Sequence, residues 1–190
     1  NKIIFDSEKA KIGIISTGKS FLDTKLGLEK IGINEDIANQ VGIKFLKIAM
    51  PWPLEETVIE KFSENLEKII VVEEKRSIIE TQVKEILFNK NLNIKVVGKN
   101  DENNNDLFVS SGALDPGEIG LKIFEIINYL KLPDEVNNLS KKLKSLKENA
   151  NSNISLKRVP HFCSGCPHNT STRIPEGSRA ITGISCAYLV

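Results

Sequence analysis

Four short runs rich in Val and Ile recur along the first hundred residues: KIGIIST at 11–17, IKFLKIA at 43–49, KIIVVEE at 68–74 and NIKVVGK at 93–99. Between them the apolar residues recur every three or four positions, so the period switches repeatedly from strand to helix. Strands joined through helices pair in parallel, and a parallel sheet buries both faces beneath those helices. The alternation therefore predicts an α/β fold, a mostly parallel sheet with helices on both faces.

The helical stretches read as follows. FLDTKLGLEKIG at 21–32 spaces Leu22, Leu26 and Ile31 along one face and ends at Gly32. A second helix from about Glu55 to Leu66 aligns Val58, Ile59, Phe62 and Leu66, and a third carries Ile79, Val83, Ile86 and Leu87. DENNND at 101–106 breaks all periodicity and reads as a loop and a domain boundary. Beyond it, Ile123, Phe124, Ile127 and Leu130 mark a helix ending near Pro133. Val136, Leu139, Leu143 and Leu146 mark another from about Asp134, with the lysines of SKKLKSLKE on its solvated face. NANSNIS at 149–155 reads as a linker.

Ligand sites in such folds lie beyond the carboxyl ends of the strands. STGKS at 16–20 stands at such a place, and Gly18, the one glycine within it, reads as a turn residue rather than as an anion cradle. In MPWPLEE, Pro51 and Pro53 restrict the backbone around Trp52, a rigid connection covering the sheet edge or else a pocket or subunit wall. Glu73, Glu74, Lys75 and Arg76 read as a solvated strand-to-helix turn, with a polar cluster facing a site as the alternative.

Composition excludes several partners. Basic residues number 26 and acidic residues 25, so no net field recruits a nucleic acid. No apolar run approaches the roughly 18 residues of a membrane span, and no signal-peptide series is present. Three cysteines cannot pair off completely within the chain, which points to a reducing compartment, the cytoplasm. The chain begins at Asn1 rather than methionine and stops at Val190 within an apolar run, so it is expected to be a piece of something larger.

All three cysteines lie near the C-terminal end, Cys163 and Cys166 in HFCSGCPH at 161–168 and Cys186 in GISCAYLV. The two-residue spacing suits three chemistries. A redox dithiol should follow a strand and open a helix, whereas this pair follows a linker and Val159-Pro160. Structural zinc could take the three sulfurs with His161 or His168, although Pro167 stiffens the short step to His168. An iron–sulfur cluster favours four thiolates, of which three are present. Cysteines that hold no metal complete the alternatives. His168 could donate to a cluster sulfur, meet a phosphate or pair with a backbone carbonyl. HNTSTR at 168–173 and EGSR at 176–179, with Arg173, Glu176 and Arg179, could meet an anion or form plain surface.

Beyond these local readings, IISTGKS at 14–20, KIAMPWPLE at 47–55, IIVVEEKRSIIETQVKE at 69–85, GALDPGEI at 112–119 and PHFCSGCPHNTSTRIPEGSRAITGISC at 160–186 stand in a familiar order. In these segments the chain resembles the thiamine-diphosphate-dependent 2-oxoacid:ferredoxin oxidoreductases, in particular those acting on indolepyruvate. The resemblance divides it into a transketolase C-terminal-like α/β domain at 1–110, a helical connector and linker at 111–157, and the N-terminal piece of a thiamine-diphosphate-binding domain at 158–190. It implies that Cys163, Cys166 and Cys186 are ligands of a 4Fe-4S cluster whose fourth ligand lies elsewhere. It also implies that Gly183, Ile184, Ser185 and Cys186 form a turn against thiamine diphosphate. Ser185 stands where the family commonly has glycine.

The activity implied is oxidative decarboxylation of an aryl 2-oxoacid with coenzyme A, the electrons passing through the cluster to ferredoxin. Mg2+ and most of the thiamine diphosphate site belong to residues outside this chain, which supplies no catalytic acid or base. The expected partners are the remaining domains or subunits of an oligomer, with no nucleic acid and no membrane. A zinc-stabilised accessory or protein-binding domain without redox activity is the competing expectation.

Overall fold

The computed structural model describes residues 1–88, 90, 94–152 and 161–179, with side chains of 150–152 excepted. They fall into two compact units, Asn1–Asn149 and Ala150–Val190. The first contains strands β1 (Lys2–Phe5), β2 (Ile12–Thr17), β3 (Ile43–Ile48), β4 (Lys68–Val72) and β5 (Lys95–Val97). Between and after them run helices α1 (Gly18–Lys30), α2 (Glu35–Val41), α3 (Glu56–Ser63), α4 (Ile78–Phe88), α5 (Pro116–Ile127) and α6 (Asp134–Ser152).

The sheet has the order β1-β3-β2-β4-β5, and only β1 runs antiparallel to its neighbour. The predicted α/β architecture is what forms. Period-two alternation divides the sheet's apolar residues between two cores. Ile12, Ile14, Ile70 and Val72 face α1 and α5, whereas Ile15, Ile69 and Val71 face α3 and α4. Phe45, fully buried, anchors the first core against Phe5 and Phe21, with ring centroids 5.8 and 5.3 Å away.

Several expectations need correction. Helix α1 does not bury the face of Leu22 and Leu26, which are exposed; Phe21, Thr24, Gly27 and Leu28 are buried instead. The reason is a close backbone approach, since a Cβ on Gly27 would come within 2.5 Å of the Pro116 carbonyl oxygen of α5. Gly27, by lacking a side chain, thus lets the face that also carries Phe21 and Leu28 pack closely. On α6 the expected stripe is buried only at Val136, and Leu146 is exposed.

The polar loop at 101–106 is closed by its own hydrogen bonds. The Asp101 carboxylate accepts from the backbone N–H groups of Asn103 and Asn105, both at 2.8 Å, closing the loop on itself. The chain then re-enters the first core through Phe108, Leu114, Ile119, Ile123 and Ile127, and the compact unit runs to Asn149. Helix α6 also continues into the predicted linker, as far as Ser152. Strand β1 and helix α2 were not expected; α2 is capped by the Asn34 side chain, which accepts from the Ile37 N–H at 2.9 Å. Among the described residues no helix is long and apolar enough to cross a membrane.

Candidate functional site

Two places carry polar chemistry, one in each unit. In the first unit, β2 has β3 on one side and β4 on the other, so the connections leave in opposite directions at the carboxyl ends of β2 and β4. An open crevice of about 330 Å³ lies there, lined by Thr17–Ser20, Pro51, Trp52, Glu73, Glu74, Ile78 and Ile79.

Its walls are tied by hydrogen bonds. Buried Gln82 accepts from the Leu54 N–H at 2.9 Å and donates to the Pro51 carbonyl at 2.9 Å, pinning the loop on both sides of Trp52. The Glu73 carboxylate accepts from the N–H groups of Ile78, Ile79 and Glu80 at 2.9–3.0 Å, capping α4 from inside the fold. The Lys99 ammonium donates to the carbonyls of Glu73 at 2.6 Å and Val109 at 3.2 Å, and burial holds its pKa below the usual lysine value despite nearby Glu73 and Glu80.

These observations sort the strand-end expectations. Lys19 is engaged by Asp23 at 2.5 Å and Glu74 at 3.3 Å, and those hydrogen bonds raise its pKa; STGKS is the strand-to-helix junction itself, Ser16 and Thr17 ending β2 and Gly18, at φ 52°, opening α1. Trp52 does not cover the sheet edge, being 69% exposed, and stands as a wall of the crevice. Glu73 is buried within the fold, whereas Lys75 and Arg76 are exposed. Neither the Gln82 clamp nor the Glu73 cap was foreseen. An acidic residue just ahead of a helical stripe was the available signal for Glu73, whereas Gln82 gave none.

In the second unit, Cys163 to Cys166 form a tight turn in which the Cys166 N–H donates to the Cys163 carbonyl at 3.0 Å. Gly165 occupies the left-handed region at φ 76°, a conformation that residues with a Cβ rarely adopt, so the glycine between the cysteines makes the turn. Asn169 adds a second hydrogen bond to the same carbonyl at 3.2 Å. Both thiols are free, Cys163 exposed and Cys166 half-buried. Cys166 Sγ lies 3.1 Å from His168 Nδ1, and the imidazole stacks on Phe162 at 5.4 Å between centroids with 19° between planes.

Helix α7 (His168–Ser171) follows, and Arg173, Glu176 and Arg179 are all exposed. Gly183, Ile184, Ser185 and Cys186 lie outside the described residues, and no group of three or more metal-ligating side chains occurs among the described ones. As a donor set the turn fits two of the four sulfur positions of a 4Fe-4S cluster: two unpaired thiols on one loop, one of them beside a potential N–H donor.

The sequence profile of the indolepyruvate oxidoreductase domain matches residues 2–153. The indolepyruvate oxidoreductase subunit IorA of Pyrococcus abyssi is 29% identical over 164 residues, covering 86% of this chain and 22% of that protein. The same subunit from Thermococcus kodakarensis is 28% identical over 187 residues, 96% of this chain and 26% of the relative. The chain thus spans about a quarter of the length of these relatives. Among solved structures, a 2-oxoglutarate:ferredoxin oxidoreductase from Magnetococcus marinus superposes with a TM-score of 0.46 at 16% identity, over 66% of this chain and 19% of that one.

Proposed function

The chain belongs to the indolepyruvate oxidoreductase domain family, and from that premise we propose that it is part of an enzyme that oxidatively decarboxylates an aryl 2-oxoacid of the indolepyruvate type. In this reading coenzyme A takes the acyl group, ferredoxin receives the electrons by way of a 4Fe-4S cluster, and thiamine diphosphate and Mg2+ are held mainly by residues outside this chain. Further domains or subunits complete the oligomer. The observation that carries the reading is the family match across 2–153, followed directly in sequence by the Cys163–Cys166 turn.

Within that enzyme this chain's residues have defined tasks. Cys163 and Cys166 present two sulfurs from one rigid turn, and Cys186 is assigned as the third ligand. Gly183, Ile184, Ser185 and Cys186 are assigned to the turn against thiamine diphosphate. A 4Fe-4S cluster bound by such thiolates supplies one-electron acceptance next to the organic cofactor. The α/β unit presents the crevice walled by Trp52 and fixed by Gln82, Glu73 and Lys99, a shaped surface rather than an acid–base pair.

The test is chemical analysis of the assembled enzyme purified without oxygen. Iron and acid-labile sulfide are expected together; zinc without sulfide would overturn the reading in favour of the zinc-stabilised accessory domain. The 190-residue chain by itself is expected to show no turnover and to retain no cluster durably. Measured oxidation of a 2-oxoacid by that chain alone would refute this expectation.

A further inference from the structure

The two cysteines of the turn are not equivalent, and the difference lies in the side chains around Cys166. Its sulfur meets His168 Nδ1 at 3.1 Å, inside the range for a hydrogen bond to sulfur, whereas Cys163 is exposed. The imidazole is fixed from two directions. Phe162 stacks on its face, and the Thr172 hydroxyl donates to the His168 carbonyl at 2.5 Å, holding the backbone that carries the ring. His168 also opens α7, whose Thr172 N–H returns to the same carbonyl at 3.2 Å.

We propose that His168 is a positioning residue that donates its Nδ1–H to the Cys166 thiolate, with Phe162 holding the ring in the donating orientation. A thiolate has no proton to give, so a hydrogen bond between these atoms requires the proton on Nδ1. Such a bond draws electron density from one sulfur of the pair. On a cluster ligand this favours the reduced state, because hydrogen bonds to the sulfurs are among the determinants of cluster potential. Of the fates open to His168 in the sequence — cluster sulfur, phosphate or backbone carbonyl — the geometry selects the sulfur.

The hydrogen bond is a property of this chain, while its effect on potential rests on the cluster reading above, so two measurements separate them. The chain has only two histidines, which makes its 15N imidazole spectrum simple to assign. In the metal-free chain at high pH, His168 is expected as the Nδ1–H tautomer, the form the 3.1 Å contact requires. Cys166→Ala should release it to Nε2–H. An Nε2–H tautomer beside the intact thiolate would overturn the proposal.

In the assembled enzyme, His168→Leu should move the midpoint potential of the cluster to more negative values, with iron and sulfide retained. His168→Asn, whose amide N–H stands near the place of Nδ1, should restore part of the shift. Phe162→Leu should move the potential in the same direction by less, and it serves as the test variant if His168→Leu loses iron. An unchanged potential in an iron-replete variant refutes the proposal. Wild-type enzyme without iron or sulfide would instead remove the functional reading and leave the tautomer to decide the hydrogen bond.

Discussion

The unit at Asn1–Asn149 and the cysteine segment at 161–179 are stabilised in opposite ways. The first buries residues from every strand and from α1 to α6 in two cores on either side of one sheet. In the second no described residue is buried, and only Phe162, Cys166, His168 and Thr172 reach half-burial. Apolar burial scales with area removed from water, so the first unit has its own driving force for folding. The cysteine segment is ordered by a turn, a ring stack and a few local hydrogen bonds. A loop of this kind gains most from a ligand, since a metal group that bridges thiolates contributes folding free energy directly.

The contrast is tested most strongly by emptying one core. Phe45→Ala removes a fully buried ring that contacts Phe5 and Phe21, and should cost about 3–5 kcal/mol, enough to unfold a marginal domain. The matching change in the other unit, Cys163→Ser with Cys166→Ser, should alter the unfolding free energy of the metal-free chain by less than about 0.5 kcal/mol. Urea unfolding followed by far-ultraviolet circular dichroism reads both. Comparable losses from the two changes would show that the regions are not energetically distinct.

A smaller loss is expected where α1 meets α5. Gly27→Ala places a methyl within 2.5 Å of the Pro116 carbonyl and 3.0 Å of the Gly120 nitrogen, both backbone atoms that cannot rotate aside. Overpacking of this sort costs about 1–3 kcal/mol, against the slight gain that alanine brings to an isolated helix. Stability equal to or above wild type in the same urea experiment would mean that the two helices can separate freely, contrary to the glycine contact.

These same places show why some of the fold was legible in the sequence and some was not. Strands β2 and β4 announce themselves because a central parallel strand is buried on both faces and draws on Ile and Val, at three of six positions in β2 and four of five in β4. The buried face of α1 escaped because its decisive residue, Gly27, has no side chain for a periodicity to register. Strand β1 escaped because it is only four residues long, although Ile3, Ile4 and Phe5 are apolar, and α2 because it buries only Ala38. At the candidate site the Cys-x-x-Cys spacing and the turn-forming Gly165 were readable locally. Glu73 left the signal of an acidic residue ahead of a helical stripe, but Gln82 left none, because its partners Leu54 and Pro51 are backbone groups brought near only once the sheet has assembled.

The finest test concerns how the first unit is closed at its C-terminal end. Asp115 caps α5 by accepting from the Glu118 N–H at 2.9 Å, and it also pairs with Lys147 of α6 at 2.5 Å. Partial burial pushes the Asp115 pKa up, but the hydrogen bonds from Lys147 and Glu118 outweigh it and hold the carboxyl below its ordinary value of 3.8. A carboxylate with a depressed folded pKa contributes stability that is fully present above its unfolded value and is lost as the pH falls through the folded one. Asp115→Ala should therefore cost about 1 kcal/mol at neutral pH, the usual loss for a helix cap. Asp115→Asn keeps an acceptor for the cap and should cost only a few tenths, because a half-exposed ion pair is screened by water. Below the ordinary carboxylate range the gap between wild type and Asp115→Asn should close. A gap that persists undiminished into acid would show that the Asp115–Lys147 pair adds nothing to the union of α5 and α6, leaving Lys147 to Glu118 and the helix to Val136 and its apolar neighbours.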